Sequence, residues 1–552
     1  MATRAQGVIE ELGNVRAERS MLNQLFEEIA EVLAPERVGF TAPVANRRPT
    51  KVFDTSPITS KRGLVNSIGA MLRPKSSAPG KWFDIVPENE ELLDQREVKD
   101  WLDFAEDRLW RALYNPDAYF IQATGEIDDD LITFGTGVGF VGLRPDRTGL
   151  LFRSFHLKNV FIIVDHTNRP NGVLIAESLT PQQAAAKWGR ENLGKKTLER
   201  LTSTDERERK EKSEFIWKVA PRFDIDPRVK NNINMPIMSL VVDVDSEHEV
   251  VEEGFEEFPF PIPRWDTRSG EVYGRGPGIL ALPDVLTLNQ MGKTILRGLH
   301  RAVAPPWLLP SDSMVNAPQL KPDGVSYYDA RAIRNLGITQ PFQQMESRAN
   351  IPWGLDAQAA TREQIMAVFF KNILNLPIDA PQMTATEVIQ RREEFVREIG
   401  SVFGRLESDY TNPIVERSFN LMMREGEFGA PEQIPEALQG GAVEFRFASP
   451  VEKAKRQIEE GTVTQAMDKV LAVGQIKPEI MDRFDWDEYG KFIAESNDFP
   501  SSLILDDATV EAIKEANQEA AAQEQQMQTA ERGASIAGAL PPEMVEQVAG
   551  SG

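Results

Sequence analysis

Two segments of helical periodicity flank a stretch that cannot be helical, and this arrangement limits the architectures open to the chain more than any other feature. From Asp284 to Val303, Leu288, Met291, Ile295 and Leu299 recur at helical spacing, and Pro305-Pro306 ends the pattern. Residues 307–352 are rich in proline and glycine, with short β-like pieces at Val325–Tyr328 and Ile338–Phe342. A second helix is expected over about 356–374, where Ile365, Phe369 and Ile373 are four apart. Two rods of about 30 Å at 1.5 Å per residue, joined through a small β-rich insertion, make a helical hairpin with a separate tip. That insertion has under 50 residues and neither disulfide nor metal ligands, so Trp307, Tyr327, Tyr328 and Phe342 within it call for support from neighbours, which favours an oligomer.

The segments around this hairpin differ in kind. Residues 8–34 read as one amphipathic helix closed by Pro35, and further helices are expected at 57–72, 91–113 and Tyr119–Thr133. The pattern then changes to period two, giving strands at Val138–Leu143, Leu150–Phe155, Val160–Val164 and Val173–Leu179, a short helix at 181–189, and strands near 214–220, 236–244 and 248–255. FPFPIPRW at 258–265 is a rigid extended segment. The fold class is therefore α+β and helix-rich, with residues 1–283 as one body.

Beyond the hairpin, Pro377 and Pro381 exclude a continuous helix through 374–383. Thr384-Ala385-Thr386-Glu387 has the form of a capping box opening a long helix, kinked at Pro413 and ending near Gly426. A strand at Ala442–Phe447 and further helical pieces follow. Residues 501–552 hold nine acids and two bases, a composition that favours solvation over a packed core.

Composition narrows the function. The chain has 552 residues, no cysteine and four histidines far apart, which excludes disulfides, thiolate chemistry and Cys-ligated metals and suits a reducing cytoplasm. Neither an apolar leader nor a membrane-length apolar run is present in the sequence. The formal charge of −23 opposes tight non-specific grip on DNA, because such grip depends on neutralising phosphates, but permits contact with DNA that slides. Lys293, Arg297 and Arg301 form one basic stripe at i, i+4 and i+8, suited to a solvated or inter-subunit ion-pair face or to DNA. Gly292-Lys293-Thr294 lacks the remaining glycine of a phosphate loop and lies in a helix, so nucleotide binding is rejected there. The glycine run at 134–142 enters a strand and reads as a turn packed against nearby backbone. Asp128-Asp129-Asp130 cannot converge on one ion from consecutive helical positions; a solvated face or a helix contact is expected. Gly400 and Gly404 permit a close helix approach or simple packing.

Three stretches together resemble a known family: FDTSPITSKRGLVNSIGAMLRPKSSAPGKWFDI at 53–85, EVYGRGPGILALPDVLTLNQM at 271–291 and PQMTATEVIQRREE at 381–394. In content and order they are similar to the portal, or head-to-tail connecting, proteins of short-tailed bacteriophages. The resemblance implies a ring of subunits, commonly twelve, at one capsid vertex, through which double-stranded DNA enters during packaging and leaves at ejection. It implies a wing over 1–283, stem helices at 284–304 and 353–373, and a clip over 305–352. A channel loop at 374–383 would include Asn375, Leu376, Pro377, Ile378, Asp379 and Gln382. The long helix and more wing would occupy 384–450, and a crown or barrel with an acidic tail 451–552.

The clip aromatics Trp307, Tyr327, Tyr328 and Phe342 would face the terminase large subunit and then a tail adaptor. The major capsid protein is the further implied partner. Neither cofactor, catalytic residue nor membrane is expected, and the implied location is the virion, with the host cytoplasm during assembly. The alternatives are a virion scaffolding or adaptor protein and a metal-dependent phosphoryl-transfer enzyme using Asp128–Asp130.

Overall fold

The computed structural model describes residues 3–41, 52–73, 81–225 except 88, 90, 91, 93 and 94, 231–311, 319–329 except 320 and 322, 343–344, 351–371, 400, 402–430, 433–438, 443–446 and scattered positions from 463 to 516. The chain divides into two units. The first comprises Met1–Lys75, Glu106–Pro431 and Ser449–Val451, the second Ser76–Ala105, Glu432–Ala448 and Glu452–Gly552.

In the first unit the N-terminal residues form two helices, α1 (Arg4–Glu18) and α2 (Ser20–Leu33), where periodicity suggests one. The break falls at Arg19, and a distant contact accounts for it. The buried Arg19 guanidinium donates to the carbonyls of Leu157 (3.0 Å), Lys158 (2.9 Å) and Val160, and lies 4.0 Å from the Phe161 ring centroid. Helix α3 (Ser56–Leu72) follows. In the second unit, strand β1 (Asp84–Pro87) pairs antiparallel with residues 443–446. Helix α4 (Arg96–Leu113) carries the boundary between the units.

The rest of the body is built around α5 (Phe120–Phe134), the hairpin β2 (Gly139–Leu143) and β3 (Leu150–Ser154), and a five-stranded antiparallel meander. Its strands are β4 (Val160–Val164), β5 (Pro170–Leu179), β6 (Ser213–Pro221), β7 (Ile237–Asp243) and β8 (His248–Phe255), in that order. Between β5 and β6 lie α6 (Pro181–Trp188), α7 (Lys195–Thr202) and α8 (Glu206–Lys210). Because side chains alternate along a strand, Ile216, Leu240 and Val242 meet Ala5, Val8 and Leu12 of α1 on one face. Phe215, Val241 and Val250 meet Ala184 and Leu193 on the other.

The proline segment also has a defined role. Prolines lack a backbone N–H, and here their carbonyls accept instead: Gly137, Gly139 and Val141 donate to Pro263, Pro261 and Pro259 at 3.1, 2.9 and 3.0 Å. At the start of that run Gly135 has φ +84°, and a Cβ there would lie less than 3.0 Å from Gly274 O and Gly276 N. The glycine run is thus a turn and strand held against backbone.

The hairpin begins with α9 (Pro277–Val303), seven residues earlier than the sequence suggests. Pro283 is accommodated inside it, while Ala281, Leu282, Val285 and Leu288 are buried; apolar burial outweighs one lost hydrogen bond. At the tip, β9 (Trp307–Ser311) pairs parallel with β10 (Val325–Asp329) and antiparallel with β11 (Gln343–Gln344). The expected strand at 338–342 and the capping box at 384–387 lie outside the described residues. The returning helix α10 (Ile351–Val368) also starts early, with Pro352 in its first turn, where a missing N–H has little consequence.

The long helix is described from residue 402. Its irregularity is a π-turn at Glu407–Thr411 immediately ahead of Pro413, and the final segment α11 (Asn412–Arg424) closes with Gly426 at φ +73°. In the second unit β12 (Val443–Arg446) completes the pair with β1.

Candidate functional site: the two-helix arm and the buried charge hub

The helices α9 and α10 form an arm whose two faces differ. Toward the body, the buried stripe of α9 runs from Ala281 through Val285 and Leu288 to Gly292. At 100° per residue the same stripe continues along Leu296, Leu299 and Val303, and there it is exposed, Val303 to 85%. On α10, Trp353 (72% exposed) and Leu355 are also uncovered. A groove of about 560 Å³ lies between the helices, lined by Leu286, Met291 and Ile295 of α9 and Trp353 and Ala357 of α10.

Lys293, Arg297 and Arg301 lie on another side of α9. Arg297 and Arg301 are exposed; Lys293 is half-buried, its Nζ 5.7 Å from the Phe53 ring centroid. No acid among the described residues pairs with any of the three. Trp307 opens β9 and is partly exposed, Tyr327 is half-buried on β10, and Tyr328 is the next residue of β10 in register with Pro310. Phe342 lies outside the described residues, as do Asn375, Leu376, Pro377, Ile378, Asp379 and Gln382.

In the acidic triplet on α5, Asp128 and Asp130 are buried rather than solvated and Asp129 is half-buried. Asp128 and Asp130 are each 1% exposed, and the three carboxylates diverge to three different cations. Asp128 pairs with Arg73, Asp129 with Lys61 at 2.9 Å, and Asp130 with Arg37 at 3.3 Å. They therefore act as a helix contact, and among the described residues no acid or histidine cluster could hold a metal ion. Tyr410 in the π-turn completes the hub: its hydroxyl donates to Thr124 O at 3.2 Å, and its ring lies 4.9 Å from the Arg73 guanidinium.

Burial raises the Asp128 carboxyl despite Arg73 and raises Asp130 to about 7. His156 moves the other way, to about 3, through burial and the charges of Arg37 and Lys158. Its Nδ1 accepts from Lys158 N–H at 3.1 Å, so Nε2–H donates to Arg37 O at 3.1 Å and the ring stays neutral. The sequence singled out the triplet but not Arg37, Lys61, Arg73 or Tyr410. These partners are far away along the chain and leave no local pattern.

The arm and the hub thus belong to one α+β body in which each carboxylate of the triplet faces its own cation. The family described as bacteriophage head to tail connecting protein matches residues 5–505, and the chain belongs to it. Its function is that of a portal, the connector between head and tail. It is similar to a probable portal protein of Bordetella phage BPP-1, 27% identical over 93% of this chain and 91% of the relative. It is also similar to the portal protein of Salmonella phage epsilon15, 24% identical over 96% and 95% of the two. A chain from the virion of a native gene transfer agent particle superimposes with a TM-score of 0.35 at 10% identity, over 79% of this chain and 94% of that one.

Proposed function

We propose that copies of the chain, twelve as the family resemblance implies, close into a ring at one capsid vertex and that double-stranded DNA passes through it in both directions. The observation that carries this reading is the exposed apolar continuation of the arm, at Leu296, Leu299, Val303, Trp353 and Leu355. Fully burying an exposed side chain of this size is worth about 1.5–3 kcal/mol, and since Leu296, Leu299 and Leu355 are already more than half buried, covering the five adds roughly 4–9 kcal/mol, at the lower end of what association consumes. A ring presents each such flank to a neighbour, whereas an isolated subunit leaves it in water.

In the ring, α9 and α10 serve as the stem. Lys293, Arg297 and Arg301 are placed for DNA phosphates or for acids of the next subunit, and the net charge of −23 keeps DNA mobile. The tip, 305–352, is the docking surface for terminase and later for a tail adaptor. Residues 374–383 act on DNA, 451–552 form the crown, and the wing meets the major capsid protein. Assembly takes place in the host cytoplasm, and the chain performs no catalysis.

The test is electron microscopy and sedimentation of the purified full-length protein and of a Leu299→Asp/Val303→Asp variant. Rings with a central hole for the parent and dispersed subunits for the variant are expected. Rings of the doubly substituted protein would remove the assigned interface, and a monomeric parent would remove the ring.

A further inference from the structure

The returning helix α10 is weakly held by apolar contacts. Within its 18 residues only Gln358 and Ile365 are buried, and the first of these is polar. Besides α9, what meets it is a short strap of the body, Phe53 to Ser56, leading into α3.

Asp54 is the centre of that strap, with its side chain 6% exposed. Its Oδ2 accepts from Arg362 Nε at 2.9 Å and from Gln358 Nε2 at 3.2 Å, and lies 2.8 Å from Arg362 Nη2. Its Oδ1 accepts from Ser56 N at 2.9 Å and from the Ser56 hydroxyl. The preceding Phe53 N–H donates to Asn289 Oδ1 of α9 at 2.6 Å. Beside that bond, a Cβ on Gly292 would lie 3.4 Å from Phe53 Cβ and 3.5 Å from Gln358 Nε2, so the strap, α9 and α10 meet at one point. The hydrogen bonds from Ser56 and Arg362 hold the Asp54 carboxyl below its ordinary value against the opposing effect of burial.

We infer that Asp54 is a positioning residue: the ionised clasp that fixes α10 to the body and makes arm and body move as one piece. Charge-assisted arginine–carboxylate hydrogen bonds are directional as well as strong, so they set an angle where a few apolar contacts would allow sliding. Here the clasp replaces the hydrophobic stripe that α10 lacks. In the sequence α10 leads directly into residues 374–383. If those residues handle DNA as proposed above, the clasp also fixes the near end of that segment. The clasp itself does not rest on that reading.

The chain has no cysteine, so two introduced ones are unique labelling sites. Ala360→Cys on α10 and Glu253→Cys on β8 are both at exposed positions and would carry spin labels. The full-length protein would be measured by double electron–electron resonance, with labelled subunits diluted into unlabelled ones. One narrow distance distribution is expected for the parent. Asp54→Asn and the milder Arg362→Gln should each broaden it, and amide exchange in α10 should rise by about tenfold while β5–β7 keep their protection. Glu249→Gln, which removes an acid from an exposed pair elsewhere, should change neither readout.

Unchanged width and unchanged α10 exchange in both clasp variants would overturn the inference. So would an equal rise of exchange in α10 and in β5–β7, because Asp54 would then support general stability and not the position of the arm. A parent protein that shows the single narrow distance but forms no ring would count against the stem assignment and leave the clasp standing.

Discussion

Asp130 and His156 should impose opposite pH dependences on stability, and the two should be separable by mutation. Both groups touch Arg37, one through its Nε at 3.3 Å and the other through its carbonyl at 3.1 Å. Asp130 also faces Lys61 of α3 and the acids Asp129 and Glu126 of its own helix. Its carboxyl moves from 3.8 to about 7 on folding, equivalent to about 4 kcal/mol. Between about pH 4 and 7 the folded state therefore holds a proton that the unfolded state has lost, so stability falls as pH rises, by about 1.4 kcal/mol per pH unit.

His156 moves from 6.5 to about 3. Between those values the unfolded state holds the extra proton, and stability falls as pH falls, with the same slope. Over pH 4–6.5 the two contributions cancel. In Asp130→Asn only the histidine term remains, and relative to the parent the variant should lose about 2.8 kcal/mol between pH 6.5 and 4.5. In His156→Gln the reverse slope should appear. Urea unfolding followed by tryptophan fluorescence at pH 4.5, 5.5 and 6.5 measures both, with the parent subtracted at each pH. Variant curves parallel to the parent would refute the assignment of a buried neutral carboxyl and a half-buried neutral imidazole.

Two further perturbations test the packing around the hub and the turn. Asp128→Leu alone strands the buried Arg73 and should destabilise by about 3–5 kcal/mol, whereas Arg73→Met with Asp128→Leu should recover most of it in thermal melts. Gly278→Ala places a Cβ less than 3.0 Å from Thr133 O and should lower the melting temperature by several degrees. Gly125→Ala, on the exposed side of α5 with nothing within 4 Å, should raise stability by about 0.5–1 kcal/mol.

Much of the fold could be read from periodicity. Val160–Val164 is a strand with the bounds expected, and β5, β6, β7 and β8 agree to within three residues, because a sheet with both faces covered requires apolar side chains at regular intervals. The expectations that needed revision concern residues whose partners are remote. Arg19 breaks the first helix through carbonyls about 140 residues away. The helices expected from 284 and from about 356 begin earlier, so that Pro283 and Pro352 lie inside them, one tolerated through burial around it and the other because the first helical turn needs no donor. Helix α7 went unread, since eight polar-rich residues carry little periodic signal.

For the site, the sequence placed Leu299 in an apolar repeat and Lys293, Arg297 and Arg301 on one stripe, but it did not pick out Leu296, Val303, Trp353 or Leu355 as an exposed apolar flank. The aspartate triplet was half legible, since its failure to converge on one ion follows from helical geometry but its burial does not.

The chain alone determined its class, because helical spacing, strand alternation, proline placement and a charge of −23 are local or additive properties. It also determined the order of segments that places it among head-to-tail connecting proteins. Only the tertiary structure decided which charges are buried against one another, that Asp54 grips Arg362 of a helix 308 residues away, and which half of an apolar stripe stays in water. Those outcomes depend on contacts between residues distant in sequence, whose energies exist only once the chain has closed on itself.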